Sequence, residues 1–276
     1  MNNKQNLHTH TVFCDGRNTP EELIAEAVSR GFDSIGFSMH CDPAVGIGKR
    51  PDFPERFEKY KREIRRLQRE WRDRFPVFLG IEYDIYSEWA EYISDCDFAI
   101  GSVHYLHDGG GELIKIDLRE PSALADCIEN SFDGDFMKFA ASYYRSLAEL
   151  ATAGDFDIVG HFDLLTKHID RFPDWDTESK AYRLLALEAI DALSGKIPFF
   201  EVNTGAIARG YRTAPYPDKF ILKALRESGF GAVISTDCHN KEYLDLYMEE
   251  SRELLRECGF NSRFILTHSG FKEVEL

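Results

Sequence analysis

The chain has 276 residues, of which 43% are hydrophobic, so it is long enough for one α/β barrel with a substantial core. Its formal net charge is −15, from 33 Lys and Arg against 48 Asp and Glu. A long nucleic-acid partner is disfavoured, because binding the phosphate backbone requires a basic surface. The sequence contains no apolar run of about 18 residues and no secretory signal pattern, so we expect a cytoplasmic protein without a membrane partner.

Strand and helix patterns alternate from the beginning of the chain. Residues 5–8 predict a short strand, and Thr19, Pro20 and Glu22 predict the capped start of a helix over residues 20–30. Later helices are predicted over residues 54–75, 121–132, 135–153, 177–193, 217–228 and 241–258. Further strands are predicted over residues 33–38, 77–82, 98–104, 156–160, 197–202, 232–236 and 263–267.

This alternation is typical of a parallel sheet with right-handed crossovers. About seven or eight units are present and polar residues follow the strands, which favours a closed α/β barrel over an open sheet. We interpret residues 1–276 as one barrel domain. The crossing around residues 105–153 is longer than the others and contains two predicted helices, so we expect a helical insertion or lid there.

Histidine and carboxylate side chains recur where the predicted strands end and loops begin. In chain order they are His8, His10, Asp15, His40, Glu82, His104, His161, Asp237 and His239. The carboxyl ends of the strands form the site in α/β barrels, so we expect these side chains to converge. Alternate residues of an extended chain share a face, and His8 with His10, like Asp237 with His239, could therefore address one centre.

The composition of this set indicates transition-metal binding. It contains six of the nine histidines together with three acidic residues. Histidine and carboxylate ligands suit zinc, manganese or iron rather than a structural cysteine site. A single histidine of this kind would more often be a hydrogen-bonded core residue. His107, His168 and His268 lack this context, and we interpret them as surface residues or as neighbours of the ligands.

The six cysteines are scattered without CxxC spacing, which is typical of reduced thiols in an intracellular protein. Cys14, Cys41 and Cys238 each adjoin a residue of the set. A thiolate ligand is the less common alternative, because small buried cysteines are frequent. Cys238 in addition would point away from the face that Asp237 and His239 share.

Seven short motifs contain the proposed ligands. They are His8-Thr9-His10, Asp15, Ser38-Met39-His40, Gly80-Ile81-Glu82, Gly101-Ser102-Val103-His104, Gly160-His161-Phe162-Asp163 and Asp237-Cys238-His239. With these motifs in this order, the chain resembles the polymerase-and-histidinol-phosphatase (PHP) family over nearly its whole length. More narrowly, it resembles the monofunctional histidinol-phosphate phosphatases of that family.

The resemblance implies a distorted seven-stranded, TIM-like (β/α)7 barrel with a centre of three divalent metal ions. By this resemblance, the first ion is held by His8, His10, Glu82 and Asp237, the second by the bridging Glu82 with His104 and His161, and the third by Asp15, His40 and His239. The metals would be zinc, manganese or iron.

The resemblance also implies a phosphomonoesterase that hydrolyses L-histidinol phosphate to L-histidinol and phosphate in histidine biosynthesis. A hydroxide that bridges two metals would attack phosphorus, because metal coordination lowers the pKa of water by many units. The third metal would bind the phosphoryl oxygens. Asp15, Glu82 and Asp237 are the candidate catalytic carboxylates, and Asp15, Asp237 or a metal-bound water would protonate the leaving alkoxide.

A phosphate ester also requires cationic contacts from the protein. Arg209 follows the sixth predicted strand and is the first candidate, because a guanidinium can bind phosphate through two hydrogen bonds. The resemblance supports that position. Lys167 is the second candidate, and weaker candidates are Lys49, Arg50 and Arg212.

The remaining groups of such a substrate are an imidazole and an amine, which would require acidic or aromatic neighbours. Residues 105–119 and 89–92 could supply them. Asp163 shares a face with His161, and we expect it to orient that ring rather than to bind a metal.

Two alternatives belong to different functional classes. One is a PHP phosphoesterase that acts on another small phosphate ester or on a diester; the acidic charge and the lack of appended domains count against nuclease-like activity. The other is a non-catalytic metal-binding or regulatory protein, against which the complete set of nine ligand positions counts.

Overall fold

The computed structural model describes residues 3–44 and 52–276. Its strands are β1 (Gln5–Asn6), β2 (Ser34–Cys41), β3 (Val77–Asp84), β4 (Phe98–Ser102), β5 (Tyr105–His107), β6 (Leu113–Lys115), β7 (Ile158–Val159), β8 (Phe199–Asn203), β9 (Gly231–Ser235), β10 (Ser262–Thr267) and β11 (Gly270–Glu275). Its α-helices are α1 (Pro20–Ser29), α2 (Phe53–Trp71), α3 (Pro121–Ser131), α4 (Phe136–Ala153), α5 (Lys180–Leu193), α6 (Gly205–Ala208), α7 (Lys219–Glu227) and α8 (Met248–Glu257). Short 3-10 helices occur at Ala90–Asp95, Leu164–Thr166, Ile169–Arg171 and Lys241–Tyr243. None of the helices in the described ranges is long and apolar enough to cross a bilayer.

Seven of the strands form a parallel barrel. Their order is β1-β2-β3-β4-β7-β8-β9, and all neighbours in this order are parallel. The barrel closes just beyond β1 and β9, where Thr9 pairs with Cys238. There the backbone N–H of His10 donates to the Cys238 carbonyl at 2.8 Å, and the Cys238 N–H donates to the His8 carbonyl at 3.0 Å. The predicted distorted (β/α)7 barrel is thereby confirmed.

An apolar layer fills the lower part of the barrel. It belongs to a buried cluster formed by Leu7, Phe78, Phe98, Ile100, Ile158, Val233 and Leu266. Alternate residues of β3 share a face, so Phe78, Gly80 and Glu82 point the same way, into the barrel. The Phe98 ring occupies the space beside Gly80, where an added Cβ would lie 2.2 Å from the ring. Glu82 therefore stands above the apolar layer, near the carboxyl ends of the strands.

The helices cover the outside of the barrel with their apolar faces. The predicted capping box of α1 is confirmed, because the Thr19 side chain accepts from the Glu22 N–H and the Glu22 side chain accepts from the Thr19 N–H. The highly charged α2 buries one stripe, formed by Phe53, Phe57, Tyr60, Ile64 and Leu67. The Tyr60 hydroxyl lies 2.7 Å from the Phe37 carbonyl oxygen and 2.9 Å from that of Gly80, which ties α2 to β2 and β3.

The helix predicted over residues 241–258 is wrong in its first half. A 3-10 turn at Lys241–Tyr243 is followed by Tyr247 in the left-handed region at φ 63°, and α8 begins only at Met248. Carbonyls of the intervening segment accept hydrogen bonds from buried side chains, Leu244 from Asn6 and Leu246 from Thr204. These carbonyls therefore form tertiary hydrogen bonds in place of helical ones. The periodicity of the local sequence does not reveal such contacts.

Residues 105–119 contain more regular structure than the predicted loop. β5 and β6 form an antiparallel hairpin there, with the glycine run at its turn. α3 and α4 follow, and α4 packs against α5.

The strand predicted over residues 263–267 is present, but as β10 it pairs with β11 outside the barrel. The single domain and the insertion or lid around residues 105–153 stay predictions.

Three charged side chains link the N-terminus, α1 and the segment after β9, close to the point where the barrel closes. Asp245 accepts from Lys4 Nζ at 2.7 Å through Oδ2 and from Arg30 Nη1 at 2.6 Å through Oδ1. Burial raises the pKa of Asp245, but the hydrogen bonds from Lys4 and Arg30 lower it by more, so the net pKa is below its usual value. The ionised carboxylate therefore stabilises the folded chain.

We predict that Asp245→Asn lowers the free energy of unfolding at pH 7 by about 1 kcal/mol, because an amide cannot form these ion pairs. The carboxylate stabilises the fold fully above its unfolded-state pKa of about 3.9, and this contribution is lost as the pH falls through the lower folded-state pKa. Urea unfolding at decreasing pH should therefore show the two proteins converging. Asp174→Asn, on the exposed surface, is the control. A difference that stays constant down to acid pH would contradict this assignment.

Candidate metal centre

A cavity of about 450 Å³ opens at the carboxyl ends of the barrel strands. Seven of the nine predicted ligands line it, namely Asp15, His40, Glu82, His104, His161, Asp237 and His239. The other two, His8 and His10, are buried and contact Glu82 and Asp237. The structure thus brings all nine predicted side chains together.

The closure of the barrel positions two arms of this cluster. Because Thr9 pairs with Cys238, the residues on either side of each point into the same space: His8 and His10 from one strand, Asp237 and His239 from the other. His10 Nε2 lies 3.1 Å from Asp237 Oδ1, and His239 Nδ1 lies 3.3 Å from the same atom. The His8-Thr9-His10 segment and the Asp237-Cys238-His239 segment therefore face one another.

Glu82 is the centre of the cluster. Its Oε2 atom lies 3.2, 3.5 and 2.8 Å from ring nitrogens of His8, His10 and His40. Its Oε1 atom lies 3.1 and 2.9 Å from Nε2 of His104 and His161. One carboxylate therefore separates two groups of imidazoles, which is the arrangement that a bridging ligand requires.

A third group lies nearer the opening of the cavity. Asp15 Oδ1 is 3.4 Å from His40 Nε2 and 3.2 Å from His239 Nε2. Ligand atoms of these three residues and of His10 all lie within 4.8 Å of one another. The geometry therefore places His10 beside the three residues that the family resemblance assigns to this group.

The donor atoms fit a metal cluster. In the described part of the chain, His8 Nε2, His10 Nε2, His40 Nδ1 and Glu82 Oε2 are buried without a hydrogen-bond partner, although they lie close together. Unpaired buried polar atoms are costly. Two atoms that each lie about 2.1 Å from one tetrahedral zinc are roughly 3.4 Å apart, which is similar to the separations around Glu82. Divalent ions would satisfy these atoms.

Burial and neighbouring charges shift the pKa values of the histidines in the cluster in opposite directions. Burial lowers the pKa of His8, but the carboxylates of Glu201, Glu82 and Asp237 outweigh this effect and raise it well above its usual value. For His10, burial and the neighbouring His239 and His40 rings lower the pKa to about 3. His8 therefore holds a proton that a metal ion would displace, whereas His10 is neutral and can bind a cation without losing a proton.

The carboxylates in the cluster stay ionised. Burial raises the pKa of Glu82, but the surrounding imidazoles, first His8 and His40, hold it well below its usual value. Burial likewise raises the pKa of Asp237, while the Arg209 guanidinium and His8 hold it well below. Both carboxylates are therefore available to a cation at neutral pH.

Asp237 adopts a special backbone conformation. Its φ of 47° lies in the left-handed region, where Asp is more common than most residues. The side chain fits against Gly205 at the start of α6, where an added Cβ would lie 2.8 Å from Asp237 Cβ and 2.9 Å from Arg209 Nη2. A glycine at position 205 therefore permits the contact between the strand end after β9 and the loop after β8.

The two predicted phosphate-binding cations both line the cavity. Arg209 Nη2 lies 2.7 Å from Asp237 Oδ2, and its Nη1 lies 3.1 Å from His239 Nδ1. Lys167 Nζ instead lies 2.5 Å from Asp117 Oδ1. Of the weaker candidates, Arg212 is buried against Thr166, and Lys49 and Arg50 lie outside the described residues.

Glu201 is a functional candidate that the sequence interpretation missed. This fully buried carboxylate lies 3.0 Å from His8 Nδ1 through Oε2, and its Oε1 accepts from the His161 N–H at 2.8 Å. It also accepts from Asn203 Nδ2 at 2.8 Å and from the Ser235 hydroxyl. The sequence did contain a signal for Glu201, because an acidic residue inside the apolar run of β8 indicates a buried polar role.

Asp84 has a comparable role beside His104 and was also missed. Its Oδ2 accepts from the His104 N–H at 2.6 Å and lies 3.3 Å from His104 Nδ1. Asp84 and Glu201 therefore leave the Nε2 atoms of His104 and His8 facing Glu82. A carboxylate that hydrogen-bonds the distal nitrogen, as Glu201 does for His8, fixes the tautomer and orientation of a ligand imidazole, whereas Asp84 holds His104 through the His104 backbone N–H.

Several other expectations about neighbours of the site were wrong. Asp163 does not orient His161; its Oδ2 accepts from the Asp218 N–H and from Thr166, and it lies 3.6 Å from Arg212. His168 is buried and bonds the Leu118 carbonyl. Residues 89–92 do not line the cavity; Trp89 stacks on Phe53 instead. These contacts depend on loop conformations that short motifs do not specify.

The three cysteines beside the ligands have other contacts. Cys14 Sγ lies 3.5 Å from His10 Nδ1, the nitrogen opposite the one that faces Glu82 and Asp237. Cys41 Sγ contacts the Ser87 hydroxyl, and the Cys238 thiol donates to the Asn240 carbonyl. Cys41 and Cys238 therefore contact groups outside the cluster, whereas Cys14 contacts the His10 ring on the side away from Glu82 and Asp237.

A seven-stranded parallel barrel with imidazoles and carboxylates clustered at its mouth defines a metal-site α/β barrel. A family model for the PHP domain matches residues 6–205, which is most of the chain, and this chain belongs to that family.

Similar proteins are known from several bacteria. Histidinol-phosphatase from Lactococcus lactis is 25% identical over 289 residues, covering 98% of this chain and 96% of its own length. A crystal structure of histidinol phosphate phosphatase from Lactococcus lactis, complexed with zinc, L-histidinol and phosphate, has a TM-score of 0.66 at 21% identity and covers 98% of this chain and 99% of its own. The HisK protein of Listeria monocytogenes has a TM-score of 0.76 at 19% identity, covering 89% of this chain and 99% of its own. The two structures share the fold of this chain.

We predict that Glu201→Gln weakens zinc binding by about 10–100-fold, because the amide no longer holds the Nδ1 proton of His8 with a negative charge. Chelator competition at fixed pH measures the affinity, and circular dichroism checks the fold. Glu253→Gln, on the exposed face of α8, makes the same chemical change away from the site and should have no effect. Equal zinc affinity for Glu201→Gln and wild type would show that Glu201 only packs the barrel.

Proposed function

We propose that this chain is a metal-dependent phosphomonoesterase that hydrolyses L-histidinol phosphate to L-histidinol and phosphate. The observation that carries the proposal is the convergence of six imidazoles and three carboxylates at the barrel mouth, with unpartnered donor atoms among the described residues. The choice of substrate is supported by relatives named histidinol-phosphatase and by the Lactococcus lactis complex with zinc, L-histidinol and phosphate.

The proposed centre contains three divalent ions, which would be zinc, manganese or iron. The donor groups for the three ions are His8, His10, Glu82 and Asp237; Glu82, His104 and His161; and Asp15, His40 and His239. The two oxygens of Glu82 face different imidazoles, which supports its role as a bridge. Each of the three groups includes a carboxylate that balances part of the metal charge.

When bound, the ions supply a water of lowered pKa as the nucleophile and positive charge for the phosphoryl oxygens. The chain itself contributes orientation: Arg209, at the cavity wall, presents a guanidinium that can bind two phosphoryl oxygens. In the structure this guanidinium holds Asp237 Oδ2, so it is fixed beside the proposed ligands. It would therefore bind phosphate with little loss of side-chain entropy.

Asp15 is better placed than Asp237 to exchange a proton with the leaving alkoxide. The Asp15 side chain is 39% exposed, whereas that of Asp237 is 7% exposed. Both oxygens of Asp237 contact other side chains, with Oδ1 near His10 and Oδ2 near Arg209. The leaving oxygen can therefore approach Asp15 from the cavity. Burial raises the pKa of Asp15, but His40 and His239 lower it by more, so the carboxylate is ionised. It would therefore take up a proton from the attacking water and pass that proton to the alkoxide.

We predict that the purified chain hydrolyses L-histidinol phosphate faster than a nucleotide monophosphate or bis-p-nitrophenyl phosphate at equal concentration. Removal of metal by a chelator should abolish turnover, and zinc, manganese or iron should restore it. Elemental analysis of the active protein should give close to three ions per chain. Activity that survives complete metal removal would refute the proposal, and preference for the diester would favour the alternative PHP phosphoesterase function.

We predict that Arg209→Ala lowers kcat/KM by about 10–100-fold, since a charged hydrogen bond is worth roughly 1.5–3 kcal/mol. Arg209→Lys should restore only part of this loss, because an ammonium cannot reproduce the planar fork. Metal content must be measured for both variants. Loss of metal together with activity would mean that Arg209 serves to hold Asp237, and kinetics within about twofold of wild type would shift phosphate binding to Lys167.

A further inference from the structure

The wall of the cavity contains two carboxylates outside the proposed ligand set, Asp42 and Asp117. Among the described residues, its Lys and Arg side chains are Arg17, Arg56, Lys115, Arg119, Lys167 and Arg209. Cations suit the phosphate of a substrate, but they would repel a second group that is positively charged. A substrate that carries both a phosphate and a primary amine would need a carboxylate in the wall, and Asp42 and Asp117 are the two that no proposed metal uses.

Asp117 is held in place by a proposed ligand. It follows β6, and the backbone N–H groups of Ile116 and Asp117 donate to the His104 carbonyl at 2.8 and 3.3 Å. The hairpin of β5 and β6 thereby fixes the Asp117 backbone directly beside the metal centre. Its side chain lines the cavity and is 30% exposed.

The two oxygens of Asp117 have different surroundings. Oδ1 accepts from Lys167 Nζ at 2.5 Å, and Lys167 is itself 5% exposed and lies 4.4 Å from the centre of the Tyr211 ring. Within the described ranges, Oδ2 has no hydrogen-bond partner. The ion pair with Lys167 favours the charged form of the Asp117 carboxylate at neutral pH. One oxygen of an ionised carboxylate is thus available to a ligand.

We propose that Asp117 binds the ammonium group of the substrate through Oδ2 while Oδ1 stays paired with Lys167. This inference rests on the proposed function and adds a basis for its specificity: the site would select phosphate monoesters of amino alcohols over esters of the same length without an amine. Lys167 in this arrangement positions Asp117, and Arg209 remains the proposed contact to the phosphate.

The test compares L-histidinol phosphate with 3-(imidazol-4-yl)propyl phosphate, which lacks only the amine and the hydrogen-bonding it provides. The wild-type protein should prefer the amine by about 10–100-fold in kcat/KM, the range expected for one charged hydrogen bond. Asp117→Asn should reduce this ratio to near one, chiefly by raising KM for L-histidinol phosphate. Asp42→Asn removes the same charge from the same wall and should keep the wild-type ratio.

Asp117→Asn also leaves Lys167 without its counter-ion, so Asp117→Asn/Lys167→Met is the second variant and should show the same loss of preference. Equal losses on both substrates, or the same change of ratio in Asp42→Asn, would overturn the role of Asp117. Wild-type turnover of L-histidinol phosphate with an unchanged ratio in Asp117→Asn would overturn this inference alone. Absence of that turnover in the wild type would overturn the proposed function as well.

Discussion

The structure depends on a carboxylate, Glu82, that is buried inside the barrel. An isolated buried charge would cost several kcal/mol, and it is tolerated only where opposite charge or hydrogen bonds surround it. Five imidazoles and the Ser102 hydroxyl surround Glu82, and bound cations would complete its environment. The fold supplies this environment from separate strands, so the site exists only when the whole barrel has formed.

The contacts that close the barrel also assemble the site. The hydrogen bonds between His8, His10 and Cys238 pair the first and last strand ends, and they also set the spacing between the two ligand arms. Asp237 must take a left-handed backbone conformation to enter this pairing and still face the cluster. Local strain at such a position is stable only because the surrounding contacts determine it.

The sequence predicted the barrel and the convergence of ligands because short-range patterns mark each strand, each helix and each ligand position at a strand end. The capping box of α1 and the motif from Asp237 to His239 each lie within a few residues, so their geometry is local. Glu201 could not be assigned in the same way, since its contact with His8 spans 193 positions and appears only after closure. The break before α8 likewise depends on carbonyls committed to distant side chains such as Asn6.

The charge distribution explains how an acidic protein can accept an anionic substrate. The net charge of −15 belongs to the whole chain, whereas six Lys and Arg side chains from the described part of the chain line the cavity. Salt screens surface charges over about 8–10 Å, so a ligand inside the cavity responds mainly to its wall and to bound cations. Because five carboxylates also lie in that wall, three of them proposed metal ligands, the field there is mixed. Such a field favours a ligand that carries both signs of charge over a simple anion.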